Sequence, residues 1–304
     1  MKLSIVIVSW NIKMLMAGCL KSVFDHSPGF EFEVWVVDNA SSDGSVDMVR
    51  QQFPQVQLIA NQENVGFAPA NNQAIRRCHG SYILLLNPDT EVLPGALDAL
   101  VQFMETRQDA GAVGSLLLNP DGSLQPSCFP RPTLSRELWR LFHLDKLRPY
   151  GQYPTQTWDQ ERPQEVDVIQ GASLLLRREA LDQTGLLDEG YFIYTEEVDL
   201  CYRLQQTGWH LYWIPQSKVI HFGGQSTKQV AAEMFLQLYK SKIQFFRKHY
   251  GRFPAIAYKL ILLVASAARL LVSPLAWLQK EPLRKQHLAL TSNYRRLLTI
   301  LPTL

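Results

Sequence analysis

Three stretches of this chain end an apolar run in side chains able to hold a ligand. "SIVIVSWN" closes on Ser9 and Asn11, "VVDNASSDGS" brings Asp38 and Asn39, and "YILLLNPDTEV" brings Asn87, Asp89 and Glu91. Taken singly, each is also a turn or a helix cap, the commonest uses of Asp and Asn, and Asp43-Gly44 alone reads as a turn. Their recurrence at successive strand ends points to a site, because open parallel sheets bind ligands beyond the carboxyl ends of their strands. A fourth stretch, "YTEEVDLCYRL", sets Glu196 and Glu197 side by side at a helix start. Asp199 has Arg203 four residues on, a favourable helical pair, whereas Glu196 faces Leu200 and Glu197 faces Cys201, with no cation one turn away. These two glutamates read either as charge suited to a helix N-terminus or as a carboxylate pair in a half-buried cleft beside the aromatic run "YFIY". His221, in "VIHFGGQST", is a lone histidine, more often structural than not, followed by two glycines that allow a close approach.

The elements that must position these groups are legible in the hydrophobic pattern. "LSIVIVSW" is a continuous apolar run, as expected of a strand buried on both faces. Helical spacing over 13–26 precedes a strand at 34–38, a helix near 45–53, a strand at 56–60, a helix at 70–78 and a strand at 82–87. A further helix starts at Pro94-Gly95, and "AGAVGSLLL" is another strand. Alternation of this kind predicts an α/β fold, a mostly parallel central sheet flanked by helices with right-handed crossovers. Residues 119–165, rich in Pro, Gly and Gln, read as a long excursion, 166–227 as a second ordered block, and the chain from Val230 as helix.

The 304 residues allow one large domain with an appendage. The four cysteines form no CxxC pair, which argues against a zinc ribbon or a disulfide framework and fits a reducing cytosol. The N-terminal apolar stretch is short for a signal peptide and reads as a first strand. No GxGxxG follows it and no GxxxxGK[ST] occurs, so neither a dinucleotide fold nor a P-loop is indicated. The net charge of +2 conceals an asymmetry: residues 235–304 carry +11 and the first 234 carry −9. A basic tail on an acidic body implies an anionic partner for the tail.

The blocks quoted above, with "NVGFAPANNQAI", "GASLLLRREAL" and "DEGYFIYTEEVDLCYRLQQTGW", occur in an order that resembles the family 2 glycosyltransferases of the GT-A fold, most closely the rhamnosyltransferase-like branch of bacterial polysaccharide biosynthesis. The resemblance spans roughly residues 1–250. It implies inverting transfer from a nucleotide sugar (dTDP- or UDP-linked, plausibly rhamnose) with a divalent metal, Mg²⁺ or Mn²⁺. It assigns Asp38 to the nucleotide and places Gly171 and Ala172 along the donor sugar; Ser9, Asn11, Asn39, Asn64, Gly66, Asn72 and Asn87 are the further candidates for nucleotide or donor contact. "NPDT" stands where the family has DxD, so Asp89 is the expected metal ligand, with the neutral Asn87 in the first acidic position and His221 as a second ligand. "EE" stands where the family commonly has Glu-Asp. Glu197 then occupies the place of the general base, and Glu196 is the reserve.

The implied organisation is a catalytic domain at 1–228, comprising a nucleotide-sugar half (1–118) and an acceptor half (119–228), and a helical basic and apolar tail at 229–304. Within "AIAYKLILLVASAARLLVSPLAWL", Lys259, Ser266, Arg269 and Ser273 share one face, and the longest uncharged run is nine residues, Leu260–Ala268. That is short of the ~20 a spanning helix needs. The tail therefore reads as an interfacial helix meeting anionic lipid, with packing on the domain or a dimer interface as the alternative. With a glycan or polyprenyl-diphosphate-linked acceptor and no nucleic acid, the chain is expected at the cytoplasmic face of the inner membrane as a peripheral protein. Two other readings are a non-catalytic nucleotide-sugar-binding or scaffold protein, and a sugar-nucleotide pyrophosphorylase. The latter expects a glycine-rich, arginine-bearing loop, which "SWNIKML" is not.

Overall fold

The computed structural model describes residues 1–278 and 280–304; Gln279, inside the predicted tail, lies outside the described residues. In chain order the elements are β1 (Leu3–Ser9), α1 (Lys13–Asp25), β2 (Phe32–Asp38), α2 (Ser45–Gln52), β3 (Gln57–Ala60), α3 (Phe67–Ile75), β4 (Tyr82–Leu86), β5 (Thr90–Val92), α4 (Ala96–Thr106) and β6 (Ala110–Leu118). There follow β7 (Leu124–Gln125), β8 (Cys128–Phe129), α5 (Leu134–Leu141), β9 (Gln164–Glu165), β10 (Val168–Ile169), β11 (Ser173–Arg177), α6 (Arg178–Thr184), α7 (Glu196–Gln206), β12 (His210–His221), α8 (Gln225–Lys228), α9 (Ala231–Tyr250), α10 (Arg252–Val272) and α11 (Leu283–Ile300). They form two compact units: a sheet unit, 1–131 with 153–229, and a helical unit, 132–152 with 230–304.

The sheet runs β3-β2-β1-β4-β11-β6-β12-β5. Alternation along its central strands explains why both faces are covered. Ile5, Ile7, Leu84 and Leu86 enter one core with α1 and α4, while Val6, Val8, Ile83 and Leu85 enter the other with α3 and α7. Each such side chain contributes about 1.5–3 kcal/mol by leaving water. β3, β2, β1 and β4 are parallel, as the βα alternation requires. β11 differs: it lies antiparallel between β4 and β6. Its long approach through residues 119–172 lets it enter from the opposite end of the sheet, which a short βα connection does not permit.

Two helix starts depart from the pattern. The helix predicted at 70–78 begins at Phe67, because Gly66 at φ 97° turns the chain into it and leaves Pro69 in the first turn. The helix predicted at Pro94 begins at Ala96, after Gly95 in the left-handed region. β12 shifts register between Ile214 and Lys218, where Pro215 has no N–H for the ladder. The shift re-aims the strand end that carries His221.

In the helical unit, α5 packs with α9, α10 and α11. Its Glu137 is buried and accepts from Lys242 at 2.7 Å and from the Tyr258 hydroxyl at 3.1 Å. Burial raises its carboxyl, but the charges of Lys242 and Arg140 and these hydrogen bonds outweigh it and hold the group below the ordinary carboxylate range. On α10, Ser266 is buried and Arg269 donates to the Leu141 carbonyl at 2.8 Å, so two members of the polar stripe face the interior of the unit. The outward face carries Phe253, Ile256, Leu260, Leu263, Val264 and Leu271, all exposed. By length and composition, α10 is the one helix among the described residues that is able to cross a membrane.

Candidate active site

β1 lies between β2 and β4, so the ends of β2 and β4 are about 10 Å apart, two strand spacings. Ser9 pairs with Asp38 at the end of the β1–β2 ladder, and Asn87–Asp89 follow directly on β4. Asp38 is buried. Its Oδ1 accepts from the Ser41 amide at 2.8 Å, while Oδ2, like the neighbouring Ser9 Oγ, is buried with no hydrogen-bond partner in the protein. Burying such atoms unpaired costs roughly 1–3 kcal/mol each, which a ligand's donors would recover.

Around this pair the other polar residues are mostly engaged by the protein. Asn39 donates to the Gly66 carbonyl at 3.1 Å and accepts from Asn61 at 2.9 Å. Asn11, at φ 51°, accepts from the Ser42 amide, and its own amide donates to Ser41 Oγ. Asp43 receives the amides of Lys13 and Ser45 and so fixes the starts of α1 and α2, the structural use its turn position suggested.

The loop after β4 meets the end of β12, where His221 stands opposite Thr90 in the β5–β12 ladder. His221 Nε2 is 3.4 Å from Asp89 Oδ1 and 3.4 Å from Asn87 Nδ2. On the other side of the ring, Nδ1 is 2.6 Å from Gln125 Oε1. Gln125 Nε2 donates to Asn119 and to the His221 carbonyl, which leaves its oxygen to accept the Nδ1–H. With Nδ1–H held by Gln125, Nε2 is the ring nitrogen turned to the Asp89 carboxylate. That is the posture of a metal-ligating histidine whose second nitrogen is oriented by a partner. Asp89 Oδ2 accepts from the Gln225 amide at 3.3 Å. Burial raises the Asp89 carboxyl, yet the hydrogen bond and charge of His221 and the Gln225 amide hold it below its ordinary range, in the acceptor form a cation needs. A carboxylate oxygen and an imidazole nitrogen facing each other at 3.4 Å fit a shared divalent cation. Among the described residues no group of three or more His, Cys, Asp or Glu is placed to hold a metal, so such a cation would complete its shell from the ligand.

The Asn87 amide donates to the Ala172 carbonyl at 3.0 Å. Ala172 adjoins Gly171, and a Cβ added at Gly171 would sit 3.9 Å from Glu197 Cβ and 3.8 Å from the Phe67 ring. The loop after β4 and the start of α7 thus meet at Gly171-Ala172. Tyr194 and Thr195, at φ 67° and 74°, turn the chain into α7. Glu196 and Glu197 each keep Oε2 buried and unpaired. Burial raises both carboxyls, and the neighbouring Glu197 raises Glu196 further. Asp199 instead pairs with Arg203 at 2.8 Å, as its spacing predicted.

Three other predicted residues lie along the α3 side of the site. Asn64 is exposed and accepts the Gly66 amide at 3.1 Å. Gly66 is required by a close approach, since a Cβ there would come within 2.6 Å of the Phe192 carbonyl oxygen. Asn72 is buried, donating to the Leu187 carbonyl and to Glu189, with its Oδ1 unpaired. The sequence reading missed Gln125 and Gln225. Gln225 lies inside the "HFGGQST" block, whereas Gln125 carries no local signal and reaches the site only through the β6–β7 hairpin.

The Glycosyl transferase family 2 model matches residues 4–185, and the Glycosyl transferase family group 2 model matches residues 152–302. The N-acetylglucosaminyl-diphospho-decaprenol L-rhamnosyltransferase of Mycobacterium tuberculosis (strain H37Rv) is 31% identical over 284 residues, which cover 86% of this chain and 85% of that one. The chain is a family 2 glycosyltransferase. Rhamnosyltransferase WbbL of Escherichia coli K12 is also similar to this glycosyltransferase, 25% identical over 59% of this chain and 69% of its own. Among solved structures, the mannosyltransferase PcManGT from Pyrobaculum calidifontis, in complex with GDP-Man and Mn²⁺, has a TM-score of 0.57 at 17% identity and covers 98% of this chain and 86% of that one. GalNAc-T7 with UDP, GalNAc and Mn²⁺ has a TM-score of 0.56 at 17% identity, covering 72% of this chain and 43% of that one. At such identities these likenesses establish the fold: the glycosyltransferase has the GT-A architecture expected from its sequence. Family membership sets aside the pyrophosphorylase reading.

Proposed function

We propose that the enzyme transfers rhamnose, with inversion, from a dTDP- or UDP-linked donor to a polyprenyl-diphosphate-linked N-acetylglucosamine in cell-surface polysaccharide synthesis. The reading is supported most by the meeting of the Asp89–His221 loop and the Glu197 helix start at Gly171-Ala172. The donor and acceptor are those suggested by the rhamnosyltransferase relatives.

In this reading Asp38 Oδ2 and Ser9 Oγ receive and orient the nucleoside, and Asp89 and His221, beside the carboxamide of Asn87, hold Mg²⁺ or Mn²⁺. When bound, that cation supplies charge stabilisation to the departing diphosphate. Glu197 takes the proton of the acceptor hydroxyl as its oxygen bonds to the anomeric carbon and the bond from that carbon to the diphosphate oxygen breaks. One in-line displacement inverts the configuration. The raised affinity for protons of Glu197, half-buried with its Oε2 out of water, brings it nearer the working pH, which strengthens it as a base. Glu196, beside it, is raised by its own burial and by the Glu197 charge, and stands as the reserve carboxylate.

The outward apolar face of α10 supports seating of the helical unit in the cytoplasmic leaflet. Isolated monomers rarely expose so continuous an apolar surface, and the +11 charge of residues 235–304 suits anionic headgroups. The reading is tested by supplying dTDP-rhamnose, UDP-sugars and GDP-sugars with a synthetic N-acetylglucosaminyl-diphospho-prenol, with and without Mn²⁺. Metal-dependent product from dTDP-rhamnose, of inverted configuration, is expected. Transfer from GDP-sugars only, or equal transfer in chelator, would overturn it.

A further inference from the structure

Among the described residues of the sheet unit, Phe192 is the only exposed aromatic, at 39% exposure. Its position is fixed tightly for an exposed side chain. The Phe192 carbonyl accepts the Phe67 amide at 2.6 Å. Gly66 leaves room for the ring, since a Cβ there would lie 2.8 Å from Phe192 Cδ2. The Gly66 carbonyl is in turn held by Asn39 at the end of β2. On the other side, Gly171 has both the Phe67 ring and Glu197 as neighbours, 3.8 and 3.9 Å from where its Cβ would stand. Two consecutive left-handed, non-glycine residues, Tyr194 and Thr195, carry the chain from Phe192 into α7. Each costs of order 1–2 kcal/mol, a strain that persists where a loop must hold one shape.

We propose that the Phe192 ring is the platform on which the acceptor's sugar stacks, its C–H face against the aromatic face, with the attacking hydroxyl turned toward Glu197. This rests on the reading of Glu197 as the base. A base must lie within hydrogen-bond reach of the hydroxyl it deprotonates, so the acceptor sugar lies beside the start of α7. One face of a pyranose ring is a patch of C–H groups, and an aromatic ring presents a negative face that attracts them. A rigid apolar shelf next to the base binds that patch without demanding particular hydroxyls, while Glu197 selects the hydroxyl that reacts. The nucleoside is assigned to Asp38 and Ser9, at the end of the β1–β2 ladder.

The test uses the full chain, dTDP-rhamnose and a short-prenol N-acetylglucosaminyl diphosphate, comparing the parent with Phe192→Ala and Phe192→Tyr. The platform predicts an acceptor KM raised about tenfold or more in Phe192→Ala, with the loss carried by KM rather than kcat. Phe192→Tyr is expected within threefold of the parent, and the dTDP Kd from calorimetry is expected to be the same for all three. An unchanged acceptor KM in Phe192→Ala overturns the platform. So does a weakened dTDP Kd, which would place the ring under the nucleobase, or a Phe192→Tyr variant as impaired as the alanine. If the parent transfers sugar and Glu197→Gln does so equally fast, the underlying base assignment fails, and that result is separate from the Phe192 outcome.

Discussion

His221 presents one ring nitrogen to Asp89 at 3.4 Å and gives the other to Gln125 at 2.6 Å. This chain of contacts joins a short hairpin, the end of β12 and the loop after β4. Gln125 fixes which nitrogen of His221 turns toward Asp89.

Gln125→Ala should therefore weaken Mn²⁺ binding about 10–100-fold, the usual effect of losing an orienting partner. His221→Ala and Asp89→Asn should each weaken it at least as much. Calorimetric titration of Mn²⁺ in the presence of dTDP reads all three. Gln125→Glu, which still accepts the Nδ1–H, should retain most of the affinity.

Asp38→Asn should weaken dTDP or UDP binding roughly 10–100-fold, since a hydrogen bond to a charged group contributes about 1.5–3 kcal/mol. The fold should tolerate the change, because the asparagine Oδ1 still accepts the Ser41 amide. Isothermal calorimetry with a thermal melt of the free protein separates loss of the ligand from loss of the fold.

Glu196 is buried beside a second carboxylate, and its proton affinity is raised in the folded state. The sign follows from linkage. Below the unfolded glutamate pKa both states carry the proton and the group contributes its full stability. As pH rises through the raised folded value, the folded state must ionise a buried carboxyl and stability is lost. Glu196→Gln should then melt several degrees higher than the parent at pH 8, with the gain shrinking to nothing near pH 4. Scanning calorimetry across that range reads it, and an equal gain at both ends would contradict the burial argument.

The outward face of α10 predicts that Leu260→Glu with Leu271→Glu lowers binding to vesicles containing phosphatidylglycerol at least tenfold in a flotation assay. Each side chain forgoes about 1.5–3 kcal/mol of burial. The fold should hold, since both positions point away from the helical core.

The sequence carried the strand ends well because each is a local signal: an apolar run followed by Ser9, Asp38 or Asn87 can be read within ten residues. The i,i+4 pair of Asp199 and Arg203 was legible for the same reason. What depends on pairing across long stretches was not. β11 inserts antiparallel because of a connection tens of residues long, and Gln125 meets His221 across 96 positions. The polar stripe on α10 was visible as a periodicity, but periodicity does not say which face turns inward; Arg269 and Ser266 face the helical core and the apolar face is outside. The hydrogen bonds of the Asn39 side chain to Gly66 and Asn61 likewise depend on tertiary neighbours and carry no local signal.

At the centre of the account is one cleft shared by Asp38, Asp89 and Glu197, with Glu197 as its base. Single-turnover transfer by Glu197→Gln, with dTDP and Mn²⁺ affinities determined on the same protein, tests this most directly. The account predicts a rate at least about a hundredfold below the parent, with both affinities within a factor of three. Transfer at the parent's rate, or a loss explained by weakened nucleotide or metal binding, would contradict it.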